Sequence, residues 1–188
     1  MAVGIPREHP LTRLFASLTA ENFAERLGWP DAEVIGYITD VLTDFVHIDQ
    51  LYKIRNAQGR PVEEVAEMLA EGDLLHRAQS VEREREVHRH IGNYTLFMAG
   101  IFPEFLRRLK ISKVIVSPDA LLDFIHVGKR SYRIVSEFTY GGYGPEAPLF
   151  RKLSENFELC VYGLGYVRAD LDRLRDPRYQ ALKGHLLG

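Results

Sequence analysis

The chain has 188 residues, of which 46% are hydrophobic, 27% are charged and 11% are aromatic. This composition is typical of a globular protein and excludes disordered, collagen-like and low-complexity chains. A single cysteine excludes an internal disulfide framework and a cysteine-rich zinc site. Because the net charge is only −2, we do not expect the chain as a whole to bind nucleic acid.

The N-terminal segment 1–10 is short and mixed in character, and we expect it to be loosely ordered. It has no apolar run of the kind that marks a secretory signal. The longest apolar stretch, 91–106, is interrupted by polar residues and is shorter than the roughly 20 residues needed to span a bilayer. The sequence therefore predicts a cytoplasmic protein with no membrane partner.

Apolar residues recur at helical spacing through the first part of the chain. The pattern predicts a helix over 11–18 and a short second helix that is capped by Thr19 and ended by Gly28. A longer helix is expected from Asp31 to Tyr52, with one continuous apolar face. After a turn, Pro61 occupies a position suited to the first residue of another helix, which Gly72 would end.

A long helix is expected over 74–101. Its first half is charged, whereas from Val87 onward it is apolar on nearly every side, which is typical of a centrally buried helix. Pro103 then indicates a new turn or a kink. The run 113–116 is the only strand-like segment and is too short to form a sheet.

Ser117 and Pro118 form a strong helix start. After the helix that they begin, a Gly/Pro-rich loop is expected over 140–148 and a last helix over 149–175. Gly163 and Gly165 would destabilise that last helix unless another helix packs closely against them. The predicted fold is all-α: residues 1–188 form a single-domain bundle of about six helices, with a long central helix and no significant sheet.

Two segments share the pattern Asp-x-x-His, namely Asp44 with His47 and Asp123 with His126. With a carboxylate such as Glu86 from a third helix, these are the ligand types of a dinuclear carboxylate bundle, so a divalent metal is one hypothesis. Helix geometry argues against it, because both pairs fall away from the apolar face of their own helix. We therefore predict no cofactor and keep the metal site as an alternative.

The charged run 81–90 leads directly into the apolar half of the long helix. It predicts either an ion-pair network that fixes the helix or the polar floor of a small-molecule pocket, with His90 as the titrating group. Aromatic residues of the same helix and of the Gly-rich loop would form the walls. The candidate pocket residues are Arg83, Glu86, His90, Tyr94, Phe97, Tyr140 and Tyr143.

The chain contains neither Gly-x-Ser-x-Gly nor His-Glu-x-x-His, and Cys160 lies beside apolar residues, where an inert buried thiol is expected. The leading hypothesis is therefore a non-catalytic helical binding or interaction module. It would self-associate through an exposed helix face, or bind another protein. The alternatives are the metal-binding bundle and a small-molecule sensor with a pocket near His90 and Tyr94.

Overall fold

The computed structural model describes residues 9–72, 80–109 and 120–188. A π-helical turn, Glu21–Arg26, extends the first helix, and a 3-10 turn, Gly141–Glu146, precedes the eighth. No strand occurs in these ranges, so the all-α prediction is confirmed for them. The α-helices are α1 Pro10–Ala20, α2 Ala32–Phe45, α3 Ile48–Leu51, α4 Val65–Gly72, α5 Val81–Ile101, α6 Pro103–Leu109, α7 Ala120–Ser136, α8 Ala147–Glu155, α9 Phe157–Leu174 and α10 Pro177–Leu187.

The start of the chain is ordered from His9 onward. Nδ1 of His9 accepts a hydrogen bond of 3.2 Å from the backbone N–H of Leu11, and Pro10 is the first residue of α1. The remainder of the predicted loose segment, 1–8, lies outside the described residues. No new helix begins after Thr19, because α1 continues directly into the π-helical turn, whereas the chain does leave the helix near Gly28, which has a φ of +66°.

Helix α2 is shorter than predicted. Asp31 caps it by accepting hydrogen bonds of 3.1 Å from two backbone N–H groups, as expected, but the helix ends at Phe45 and not at Tyr52. His47 has an extended backbone and precedes the short helix α3. A residue of another helix holds this segment in its new direction, since Nε2 of His90 in α5 lies 3.0 Å from the carbonyl oxygen of Leu51.

Helix α4 begins four residues later than predicted. Pro61 pairs with Arg55 in an isolated bridge, and the side-chain oxygen of Asn56 accepts 3.0 Å hydrogen bonds from the backbone N–H groups of Gln58 and Arg60. These bonds build a closed turn over 55–61. Pro61 therefore belongs to that turn and not to the first turn of a helix.

The expected last helix, 149–175, is divided by Asn156. Its backbone leaves the helical region, and its side-chain amide donates a 2.9 Å hydrogen bond to the carbonyl of Lys152, which ends α8 before α9 begins. Helix α10 was not predicted, although Asp176 caps it through two 3.0 Å hydrogen bonds.

The loop predicted over 140–148 contains the 3-10 turn. The predicted strand-like run 113–116 and the helix start at Ser117 lie outside the described residues.

Helix α5 is the long central helix that the sequence predicts, but it begins at Val81 and not near residue 74. Ser80 has an extended backbone and caps the helix, since its hydroxyl oxygen accepts a 3.1 Å hydrogen bond from the backbone N–H of Arg83. From residue 90 onward its side chains are buried except for Asn93, and it contacts α2, α4, α6, α7 and α9. Glycines allow the closest of these contacts. A Cβ atom on Gly92 would lie 2.4 Å from the ring of Tyr132, and one on Gly100 would lie 2.5 Å from Cβ of Leu164. The neighbouring helices therefore pack almost directly against the α5 backbone.

The same contacts give a stability prediction. A Cβ on Gly128 of α7 would lie 2.2 Å from the ring of Phe157, whereas one on Gly36 would meet nothing within 4 Å. Gly128→Ala should lower the free energy of unfolding by about 1–3 kcal/mol through overpacking. Gly36→Ala should raise it by about 0.5–1 kcal/mol, because alanine favours the helix. Urea denaturation of both variants checks this, and changes of the same sign would contradict it.

Candidate interaction surface

Three of the predicted pocket residues lie together in the core. His90, Tyr94 and Phe97 are each no more than 2% exposed. The ring of Phe45 meets those of His90 and Phe97 edge to face, with centroids 5.6 and 5.3 Å apart. Tyr52 packs against Tyr94 at 6.3 Å. Where the sequence predicted a ligand, aromatic side chains of the protein itself pack against one another.

Burial also changes the chemistry of His90. Desolvation, reinforced by the positive charges of Lys53 and Arg89, lowers the pKa of His90 to about 3. Its Nε2 atom lies 3.0 Å from the carbonyl oxygen of Leu51, while its buried Nδ1 has no hydrogen-bond partner. The imidazole is therefore neutral over the whole physiological range. His90 does not provide the titration near neutral pH that the sequence suggested.

This shift predicts a specific pH dependence. The pKa of His90 is about 3 in the folded protein against an ordinary value of 6.5, so below pH 6.5 the unfolded chain takes up a proton that the folded protein does not. Stability is therefore lost as the pH falls through this interval, by up to about 1.4 kcal/mol per pH unit. Relative to wild type, His90→Gln should lose less stability between pH 6.5 and pH 5.

Urea denaturation at the two pH values measures this difference. The carboxylates titrate in both proteins, so their contribution to the pH dependence of the free energy of unfolding cancels in the comparison. Glutamine keeps an N–H that can donate to the Leu51 carbonyl. Equal pH dependence of wild type and variant would show that His90 is not held in the neutral form.

The other predicted pocket residues lie in two further places. Nη1 of Arg83 lies 3.5 Å from Oε2 of Glu86, and Nη2 donates a 3.1 Å hydrogen bond to the carbonyl of Arg55, so this pair belongs to the surface. Tyr140 and Tyr143 pack against each other at 6.1 Å in the Gly-rich segment. In the described residues, no hydrogen bond or ring contact joins these groups to His90. The predicted pocket is therefore not one site.

Arg85 was not predicted as a special residue, but it organises the Gly-rich segment. Its side chain is buried, its guanidinium carbon lies 4.2 Å from the ring centroid of Tyr143, and its Nη2 lies 2.5 Å from Oε2 of Glu146. The sequence showed Arg85 only as one charge in an alternating run. Its partners are about 60 residues away, so helix spacing could not indicate them.

The predicted metal ligands do not form a cluster. Asp44, His47, Glu86 and His126 are exposed, and Asp123 is half-buried. His47 precedes α3 in extended backbone, so the two Asp-x-x-His segments also differ in structure. Within 9–72, 80–109 and 120–188, no three His, Cys, Asp or Glu side chains lie close enough together to hold a metal ion. The described residues therefore give the metal hypothesis no support.

Helix α9 is held firmly along its inner side. A Cβ on Gly163 would lie 2.5 Å from the ring of Phe23, so this glycine lets the π-helical turn pack against the helix. The buried carboxylate of Asp170 accepts a 2.9 Å hydrogen bond from the side-chain amide of Asn22 and one of 3.0 Å from Arg173. Because a helix is rigid, these contacts also determine which residues of α9 point outward.

The outward side of α9 carries two tyrosines. The side chain of Tyr162 is 60% exposed, and its ring lies 5.0 Å from that of Tyr166, with the hydroxyl oxygens 3.0 Å apart. Arg26 of the π-helical turn lies 5.7 Å from the ring centroid of Tyr166. At about 100° per residue, seven residues of α9, Tyr162 itself included, lie within about 60° of Tyr162 on the side away from the core, and five of these seven are uncharged. We call this surface the α9 face: Leu159, Tyr162, Gly165, Tyr166 and Ala169.

The sequence contained part of the signal for this surface. Gly163 and Gly165 were expected to destabilise the predicted helix unless another helix packs closely against them. The ring of Phe23 packs against Gly163, whereas a Cβ on Gly165 would meet nothing within 4 Å among the described residues. Close packing therefore offsets the cost of a helical glycine at Gly163, whereas the described residues provide no such packing at Gly165.

No family model, curated protein or solved structure matches this chain. In the part of the chain that the structure describes, no helix combines the length and the apolarity needed to cross a membrane.

Proposed function

We propose that this protein is a non-catalytic helical interaction module that self-associates through the α9 face. The observation that carries the proposal is the 60% exposure of Tyr162 beside the exposed Leu159 on a helix whose opposite side is fully packed. Exposed aromatic and apolar groups that share one face are typical of protein–protein interfaces, where tyrosine is enriched. A phenol ring suits such a surface because it is apolar in the body and polar at the tip.

The buried groups support a non-catalytic role. Cys160 is fully buried, and desolvation raises the pKa of its thiol to about 12, so it is not a nucleophile at neutral pH. The buried His90 has its Nε2 against a backbone carbonyl. In the part of the chain that the structure describes, neither group is paired with a second residue in the manner of a nucleophile and its base. The structural role of these groups agrees with a module that acts through its surface.

The area of the α9 face limits the affinity of self-association that we expect. From Leu159 to Ala169 a helix rises by about 15 Å, and one face of that length buries roughly a few hundred Å² per molecule. Stable complexes bury about 800 Å² per partner, so association through this face alone belongs to the weak, reversible class. Arg26 and its neighbours in the π-helical turn flank Tyr166 and add polar contact area at the rim.

Size-exclusion chromatography with light scattering over a range of protein concentrations tests the proposal. The wild type should pass from the mass of one chain towards that of two as concentration rises. Tyr162→Ser should remain at the mass of one chain, because it removes the most exposed ring of the α9 face. Tyr140→Ser is the matched control, since Tyr140 is a tyrosine of similar exposure, 52%, in a different segment.

Circular dichroism of the variants establishes that both remain folded. A wild type that keeps the mass of one chain at every concentration would refute self-association. If Tyr140→Ser weakened association as much as Tyr162→Ser, the contact would not be specific to the α9 face.

A further inference from the structure

We infer that two copies of this protein exchange their α10 helices, so that α10 of each chain packs against α6 and α9 of the other. The partner is a second copy of the same chain, and this structure already shows the contacts that the exchanged helix makes. The inference does not rest on the α9 face. Its support comes from the contacts of α10 and from the link between α9 and α10.

Helix α10 is held by non-covalent contacts that a second copy of the chain also offers. The ring of Tyr179 stacks on that of Phe102, with centroids 5.7 Å apart and the planes inclined by 18°. Leu182, about one turn further along α10, is buried. Nζ of Lys183 lies 2.7 Å from Oδ1 of Asp172 in α9. Because none of these contacts depends on the covalent link, α10 of an identical chain forms them equally well.

The link between α9 and α10 is strained. Arg175, which follows the last residue of α9, has a φ of +52° and a ψ of +41°, and it is the one non-glycine residue with a positive φ in the described ranges. A residue with a Cβ atom is disfavoured in this left-handed region. The backbone of Arg175 sets the direction in which α10 leaves α9, so packing of α10 on its own chain maintains the strain. A link that leads to a second molecule relieves it, and short strained links favour exchange.

An apolar side chain lies exposed at the same link. Leu174, the last residue of α9, is 52% exposed. In the exchanged dimer both links cross from one molecule to the other, and the two-fold axis places them close together. Leu174 of each copy is then covered by the other link, so exchange buries apolar surface that one molecule leaves in water.

Protein concentration determines which form dominates. Within one molecule a short link gives α10 an effective concentration in the millimolar range, which favours packing on its own chain. Relief of strain at two links and burial of Leu174 offset part of this advantage. We therefore expect exchanged dimers after unfolding and refolding at about 1 mM protein, and single chains after refolding at about 1 μM. The dimers separate slowly on dilution, because α10 must first detach.

Charge reversal at the ion pair tests the exchange directly. Asp172→Lys and Lys183→Asp each place two like charges where α10 meets α9, whether α10 packs on its own chain or on an identical one. When the two variants are refolded together, exchange of α10 between them restores opposite charges at both sites. Native mass spectrometry should show a dimer with one copy of each variant, about tenfold more abundant than the dimers of either variant alone.

Both variants also carry Tyr162→Ser, so that the α9 face does not contribute to the association. Circular dichroism of each variant alone establishes that it is folded. A mixture that yields only single chains, or dimers in which the two variants combine at random, would overturn the exchange of α10.

Substitution of Arg175 tests the strained link without altering the ion pair. Arg175→Gly removes the penalty of a Cβ atom at a φ of +52°, which favours packing of α10 on its own chain. It should raise the dissociation constant of the exchanged dimer by about tenfold, since two links are affected. Arg175→Ala is the matched control, because it removes the charge but keeps the Cβ atom, and it should leave this constant unchanged. Equal constants for Arg175→Gly and wild type would contradict the role of the link.

The exchange and the proposed function fail in different ways. Exchanged dimers require refolding at high concentration, persist after dilution and are insensitive to Tyr162→Ser. Dimers that use the α9 face form without refolding, dissociate on dilution and depend on Tyr162. Variants that do not combine therefore refute the exchange while the proposed function stands. A native wild type that never associates refutes the proposed function while the exchange stands.

Discussion

The architecture depends on how closely neighbouring helices approach the backbone of α5. Glycines at the contacts make this possible: Gly92 accommodates the ring of Tyr132, and Gly100 accommodates Leu164 of α9. Near these contacts the side-chain oxygen of Asn93 accepts hydrogen bonds of 2.7 and 2.8 Å from the hydroxyls of Tyr37 and Tyr132. The side-chain amide of Asn93 therefore connects α2 and α7 to α5. The two hydrogen bonds also offset the cost of burying the tyrosine hydroxyls.

The exposed side of α9 is a consequence of this packing. Leu164 against Gly100 and Gly163 against Phe23 fix the rotation of the helix about its axis, and the pair Asn22–Asp170 fixes its position along α1 and the π-helical turn. With the inner side so constrained, the tyrosines can only point outward. The same rigid placement makes the α9 face a preorganised surface, which lowers the entropic cost of association.

Helical periodicity in the sequence predicted α1, α2 and α5, because each of these buries one stripe or the whole of its surface against the core. It failed where a single polar side chain divides an apolar pattern: Asn156 separates α8 from α9, although the apolar spacing continues on both sides. The contacts of the candidate site residues were harder to predict than the helices. Glu86 and His90 share a helix face by spacing, yet His90 is fixed by the carbonyl of Leu51, which lies 39 residues away along the chain. Long-range partners of this kind leave no trace in the pattern of one helix.

Self-association through the α9 face requires that the outer side of α9 becomes buried when two molecules meet. Hydrogen–deuterium exchange, measured by mass spectrometry at low and at high protein concentration, tests that claim most directly. Peptides from α9 and from the adjoining π-helical turn should exchange more slowly at high concentration, while peptides from the buried α5 should exchange at an unchanged rate. Concentration-independent exchange in α9, or new protection confined to other segments, would contradict the claim.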